Sequence, residues 1–306
     1  MRILIVASSN SGRSSFITQQ VESIIEEGIE VDYYWIKGKG FSGYLKNLNP
    51  LRNKIKESKC DIVHAHYGLS GLLACLQRIK PVIVTFHGSD IYLNKTNRLF
   101  SFITSRLSNR NIFVHPNQVN KIPFCSFKSD IIPCGVDVNI FYNIDKNKAR
   151  QQLNFKEGVK YILFSSNFDN EVKNYNLAKS AIDLISEKVE LIELKGYNPE
   201  EVNILLNAVD LLLVTSKRET GPMIVKEAMI CGCPIVSTDV GDVKKLLEGI
   251  DNSHIISKNC AEDFCLAINK CISNDDVLNA GNRIFDLELS SHQVSKKILK
   301  LYKKML

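Results

Sequence analysis

The chain has 306 residues, 44% hydrophobic and 24% charged, which suits a globular protein with room for two domains. No apolar run nears the roughly 20 residues of a membrane-spanning helix, and the nine cysteines contain no C-x-x-C pair, so a membrane-spanning class and a disulfide or zinc framework are set aside in favour of reduced, mostly buried thiols. The net charge of +6 is uneven: residues 1–143 carry 17 Lys and Arg against 10 Asp and Glu, and residues 144–306 carry 22 against 23, which leaves either an anionic partner or a solvated basic face on the first half.

Met1 to Val6 reads as a first buried strand rather than a leader, because polar Ser8 to Gly12 follows at once. Phe16, Ile17, Val21, Ile24 and Ile25 then recur at helical spacing up to Gly28. A strand is expected at 31–36, a Gly/Lys loop at 37–42, and a helix opened by Pro50. Strand 61–65, helix 69–79, strand 82–86, helix 99–107 and strands 111–114 and 130–132 complete the first half. Residues 135–147 read as a link. The second half repeats the alternation with strands at 161–165, 191–194, 211–214, 234–237 and 254–257 and helices at 177–187, 199–208, near 246, and at 264–272. The tail places Ile298, Leu301, Tyr302 and Met305 on one helical face and five lysines elsewhere, a pattern that would dock on the body or touch anionic lipid. The fold class is α/β, two doubly wound Rossmann-like domains. Residues 1–143 form the first, 144–290 the second, and 291–306 a closing helix packed back on the first.

Ligands of parallel sheets bind outside the carboxyl ends of the strands. The apolar run 211–214 ends in the polar turn 215–221, followed by Pro222 at the expected first helical position and Ile224, Val225, Ala228 and Met229 at helical spacing, with Gly232 closing the helix. Glu219 lies in that turn and Glu227 about one and a half turns into the helix. The exposed N–H groups of the turn that follows Pro222, up to Val225, would attract an anion, aided by the helix dipole. Two acids beside such a helix start suit a ligand carrying both hydroxyls and phosphate.

Other candidates sit at other strand ends. Gly12 lets a ligand approach the first loop, which is not a G-x-G-x-x-G fingerprint and so does not suggest a nicotinamide dinucleotide. His64 and His66 share one strand face, a spacing that could hold metal, but no third ligand is evident. His87, in F-H-G-S-D, stands at a strand's carboxyl edge. Asn167 and Lys173 follow the first strand of the second half. No D-x-D occurs, so no metal-bridged diphosphate is implied.

The spacing E-x7-E from Glu219 to Glu227, the runs D-I-V-H-A-H-Y-G-L-S-G and H-G-S-D, I-P-C-G-V-D at 132–137 and Lys173, in this order, resemble the family 4 retaining glycosyltransferases. The resemblance covers the chain up to about residue 243 and implies a GT-B fold, two domains facing a cleft, and transfer of a sugar from a UDP- or GDP-sugar to a hydroxyl of a glycan or lipid-linked acceptor, as in bacterial surface polysaccharide synthesis. It implies Lys173 on the leaving diphosphate and Glu219 on the sugar hydroxyls. It also implies Glu227 on the ribose, His87 against the donor sugar, and Gly12, Asn167, Gly221, Pro222, Met223 and Ile224 around the donor. Ser166-Asn167 stands where the family usually has Gly-Arg, so one leaving-group cation is absent. No cofactor, metal or nucleic acid is expected. The location implied is cytoplasmic, at the inner face of the plasma membrane. Residues 35–59 mix Trp35, Phe41 and Tyr44 with lysines, a pattern that would face an acceptor or the cytoplasmic leaflet, or else form a helix with a solvated face. A non-catalytic sugar-nucleotide binder and a GT-B epimerase are the alternatives.

Overall fold

Buried β-runs alternate with amphipathic helices along the whole chain, and in a computed structural model they assemble into two parallel sheets. The structure describes residues 1–10, 12, 14–123, 126–258, 260–273 and 278–306. Two units are distinguished by their internal contacts, Met1–Gly135 with Ser291–Leu306, and Val136–Ser290.

In the first unit, β1 (Arg2–Ser8), β2 (Glu30–Ile36), β3 (Ile62–His66), β4 (Val82–Phe86), β5 (Arg110–Phe113) and β6 (Ser129–Ile131) pair in the order β2-β1-β3-β4-β5-β6, all parallel. Alternate residues serve opposite faces. Leu4, Val6, Val63, Ala65, Val84 and Phe86 pack with Leu51, Ile55 and Leu73. Ile3, Ile5, Ile62 and Ile83 pack with Ile17, Val21 and Ile24 on the other side. Because both faces are covered, β3 and β4 are buried at every position, His64, His66 and Thr85 included.

The closing helix Ser291–Lys303 belongs to this unit and lies against the helix Ser15–Glu26. Ile298, Leu301 and Tyr302 enter the Ile3 and Ile5 side of the core. The Tyr302 hydroxyl reaches the buried His64 Nδ1 at 2.5 Å.

The second unit repeats the winding. β7 (Lys160–Phe164), β8 (Val189–Glu193), β9 (Leu211–Val214), β10 (Ile235–Thr238) and β11 (Ser253–Ile256) are ordered β11-β10-β9-β7-β8 and parallel. In each sheet the first strand of the unit lies between the second and the third. The order therefore reverses between β1 and β3 and between β7 and β9, and the crevices at those points are where doubly wound sheets take ligands.

Several boundaries differ from expectation for identifiable reasons. The helix expected from Pro50 begins at Leu48, and Pro50 falls at its third position, where an N–H would have had no intrahelical partner. The helix expected from 99 begins at Lys95 because the Asn94 side chain accepts from Asn97 N–H and caps it. The link contains a helix, Lys146–Gln152, capped by Asp145. Asp210, just ahead of β9, holds that helix to the sheet. Its buried carboxylate accepts from Lys146 Nζ at 2.8 Å, Arg150 Nη2 at 2.7 Å and Tyr161 N–H at 2.8 Å. No helix among the described residues is long and apolar enough to cross a membrane.

Candidate active site

The crevice between β7 and β9 holds the first constellation. After β7 the chain turns through Ser165 to Asn170, whose side chain accepts from Val172 N–H and starts the short 3-10 turn Glu171–Lys173. After β9, Thr215 Oγ1 donates to the carbonyls of Lys173 and Asn174, and Lys217 N–H donates to the Val172 carbonyl. These bonds lock the two loops together. They bring Lys173 Nζ to 2.6 Å from Glu219 Oε1, an ion pair with side chains only 19% and 15% exposed. Ser216 Oγ donates to the same carboxylate oxygen at 2.8 Å. Two residues 46 apart in sequence thus form one charge-neutral unit at the point where the strand order reverses. Asn167 lies in the same loop, where its side-chain oxygen accepts from Ser166 Oγ at 3.1 Å. It is a neutral amide at the expected arginine position.

The helix after this turn starts one residue later than expected. Pro222 is the cap, with φ −67° and ψ 115°, and the helix runs Met223–Cys231. A proline φ is compatible with either position, and the extended ψ decides. No side chain caps this end, so its first N–H groups point out at the carboxyl edge of the sheet. Gly221 precedes it, and a Cβ there would come within 3.4 Å of both Asp242 carboxylate oxygens. Gly241, with φ +59°, packs so closely on the Thr220 carbonyl that a Cβ would sit 2.8 Å away. The loop after β10 therefore braces the turn that carries Glu219. Ile224 is buried and anchors the helix, whereas Met223 is partly exposed.

Glu227 is the fifth residue of the helix and partly buried. Burial pushes its carboxyl up to about 7, against the pull of the Lys226 charge. Lys226 itself is 1% exposed, with Nζ 3.9 Å from Asp242 Oδ2. Sequence reading passed over Lys226 and Asp242, because a lysine on an apolar helix face and an aspartate in a loop carry no spacing signal. It also passed over Ser216, although its position three residues before Glu219 in one turn was available.

In the first unit, Gly12 has φ +87° and lies exposed in the loop after β1, with nothing within 4 Å of a Cβ position. Its neighbours Ser11 and Arg13 lie outside the described residues. His64 and His66 do share a face of β3, their rings stacked at 4.6 Å. Instead of converging on a metal position, they bond to different partners. His64 joins Tyr302 at 2.5 Å and Thr85 at 2.7 Å. His66 Nδ1 lies 2.9 Å from His87 Nε2. No group of three or more His, Cys, Asp or Glu suited to a metal is found among the described residues.

His87 is partly buried after β4, against Phe16, Tyr67 and His66. Asp90 fixes its loop, taking Gly88 N–H on one oxygen at 2.9 Å and Gly68 N–H on the other at 3.0 Å. Burial keeps all three histidines neutral, with His66 lowered to about 3. The cysteines among the described residues are free thiols, and Cys125 lies outside those residues. A surface hollow of about 1070 Å³ lined by Asp251, His254 and Lys270 lies at the amino end of β11, where none of the candidate residues stands.

Residues 5–140 match the Glycosyltransferase Family 4 model, and residues 177–274 match Glycosyl transferases group 1. The chain is 24% identical over 292 residues to an uncharacterized glycosyltransferase of Methanocaldococcus jannaschii, covering 88% of this chain and 82% of that protein. It is 23% identical over 282 residues to the Escherichia coli UDP-Gal:α-D-GlcNAc-diphosphoundecaprenol α-1,3-galactosyltransferase, covering 77% and 72%. Its fold is similar to that of Anabaena HepE solved in complex with UDP and glucose, with a TM-score of 0.79 at 16% identity over 99% of this chain and 100% of that one. Two doubly wound sheets, an acid pair at E-x7-E spacing behind β9 and family matches in both units lead to one assignment: the chain belongs to the family 4 glycosyltransferases of the GT-B fold.

Proposed function

We propose that the chain moves a sugar from a nucleotide-sugar to an acceptor hydroxyl with retention of anomeric configuration. The observation that carries this reading is the Lys173–Glu219 pair at the β7/β9 crevice beside an uncapped helix start. A diphosphate entering there draws the Lys173 ammonium and the N–H groups of the helix Met223–Cys231, which frees Glu219 to accept sugar hydroxyls. Glu227 accepts from the ribose, and Gly221 and Pro222 keep side-chain bulk away from the phosphates. His87 and Gly12 contact the sugar side of the donor.

In the reaction the bond from the anomeric carbon to the phosphate oxygen breaks and the bond to the acceptor oxygen forms. The acceptor's proton passes to the departing diphosphate. Negative charge grows on that diphosphate, where Lys173 and the helix start await it. The reading is supported by a fold neighbour whose complex holds UDP and glucose and by a relative named for a UDP-galactose donor. Thermal unfolding with UDP-glucose, UDP-galactose, UDP-N-acetylglucosamine and GDP-mannose tests it. At a hundredfold excess over Kd the true donor is expected to raise Tm by about 5 °C or more. A flat Tm across the panel would reject a donor site of this kind.

The acceptor we propose is lipid-linked, met at the cytoplasmic face of a membrane in polysaccharide synthesis. Phe41 and Leu45 are exposed on the short helix Gly40–Leu45, and Phe41 stacks on Phe100 at 5.6 Å. Lys37, Lys39 and Lys46 flank them, and Leu93 and Leu99 are also exposed. Trp35 stands apart, stacked on Tyr33 in β2. Apolar side chains ringed by lysines suit an anionic bilayer surface. Co-sedimentation with vesicles containing phosphatidylglycerol is expected to weaken with salt. Equal retention by neutral phosphatidylcholine vesicles would sink the idea.

A further inference from the structure

His87 Nε2 and His66 Nδ1 are 2.9 Å apart, so they share a single proton. Which ring owns it follows from the rest of His66. Its other nitrogen, Nε2, is fully buried and has no hydrogen-bond partner. A buried N–H without an acceptor is rarer and costlier than an acceptor left bare. The proton therefore belongs on His66 Nδ1, which donates to the His87 Nε2 lone pair, and the remaining His87 proton is placed on Nδ1. We propose that His66 is a positioning residue that fixes His87 in the Nδ1–H tautomer, so that His87 meets its ligand as a hydrogen-bond donor and not as a base.

The surroundings support a held ring. His66 stacks on His87 at 5.2 Å, and Phe16 and Tyr67 close on it at 4.9 and 4.7 Å. Tyr67 has φ +72° and ψ 151°, a backbone region that side chains other than glycine's seldom adopt. Such strain persists only where the surroundings enforce it. Beneath them His64 stacks on His66, its two ring nitrogens occupied by Tyr302 and Thr85, so the layer under His66 has no freedom to turn. The titratable groups facing His87 are His66, the Tyr67 phenol, the Cys134 thiol 3.9 Å from His87 Nδ1, and Asp90 behind its loop. Burial and the neighbouring His66 keep His87 uncharged, as a neutral donor requires.

The functional side of the inference rests on His87 contacting the donor sugar. Histidine-labelled ¹⁵N spectra of the parent are expected to show His87 protonated at Nδ1, with Nε2 bare. In His66→Phe the Nε2–H form should appear, and affinity for UDP-glucose should fall about tenfold, the loss of one hydrogen bond. Affinity for UDP, which lacks the sugar, should not change. His66→Asn, whose amide N–H takes the place of Nδ1–H, should return UDP-glucose affinity to within about twofold and restore the His87 spectrum. A parent spectrum with His87 protonated at Nε2 would overturn the inference, as would parental UDP-glucose affinity in His66→Phe. A parent that binds no nucleotide-sugar would defeat the donor reading instead, and the ring spectra would still decide which nitrogen His66 protonates.

Discussion

Lys173→Ala is expected to lower sugar transfer about 10²- to 10³-fold, the loss that follows removal of one preorganised group from a developing anion. In the free protein Lys173 and Glu219 neutralise each other at 2.6 Å in a site mostly closed to solvent. A diphosphate competes with Glu219 for the ammonium. Asn167 adds only a neutral amide, so in the proposed reading Lys173 is the cation of its own loop that meets the diphosphate. The two partners should separate under substitution. Glu219→Gln keeps a hydrogen-bonding side chain and releases Lys173, so UDP affinity should hold or rise while transfer falls. Lys173→Ala should weaken UDP and transfer together. Unfolding curves should shift little in either case, because the loops remain tied by Thr215 and Lys217. Transfer within a few-fold of the parent in both variants would remove this pair from the mechanism.

The part of this site legible in the sequence is the part that local rules govern. The run Leu211–Val214, the polar turn, the helix and the αL Gly232 at its end obey apolar periodicity and capping, and they were placed to within one residue. The winding of both sheets followed from the β-α-β alternation. What escaped lies in contacts between distant segments. Lys173 and Glu219 were each singled out by motif, but nothing in their separation of 46 residues announces that they touch. The i, i+2 histidines suggested metal because spacing shows only that two rings share a face. That His66 turns to His87, 21 residues on and just past the end of the next strand, is set by the parallel register of β3 and β4. The helix Lys146–Gln152 was missed because its residues are almost all polar and only Ala149 is buried. Its stability comes from Asp210, which sequence pattern cannot place beside it.

Below about pH 6.5 the first unit is expected to lose stability, and the buried histidines supply the reason. His64 and His66 are both 0% exposed, and burial lowers both pKa values, that of His66 to about 3. In the unfolded chain they protonate near pH 6.5. The unfolded state then binds more protons than the folded one, so stability falls as pH falls, by about 1.4 kcal/mol per pH unit for each neutral histidine. His87, lowered by the same burial, adds to the loss. Asp90 opposes them. Burial raises its carboxyl to about 7, so the folded state takes up that proton first and gains stability as pH falls from about 7 towards 4. One aspartate offsets one histidine, and the net expectation is a loss of stability as pH falls below about 6.5. Urea midpoints across that range, with amide exchange reporting on β3 and β4, measure it directly. His66→Phe removes one titrating ring, so its stability should fall less steeply with pH than the parent's. An unchanged slope in that variant would mean that acid unfolding begins elsewhere than in the layer of rings beneath His87.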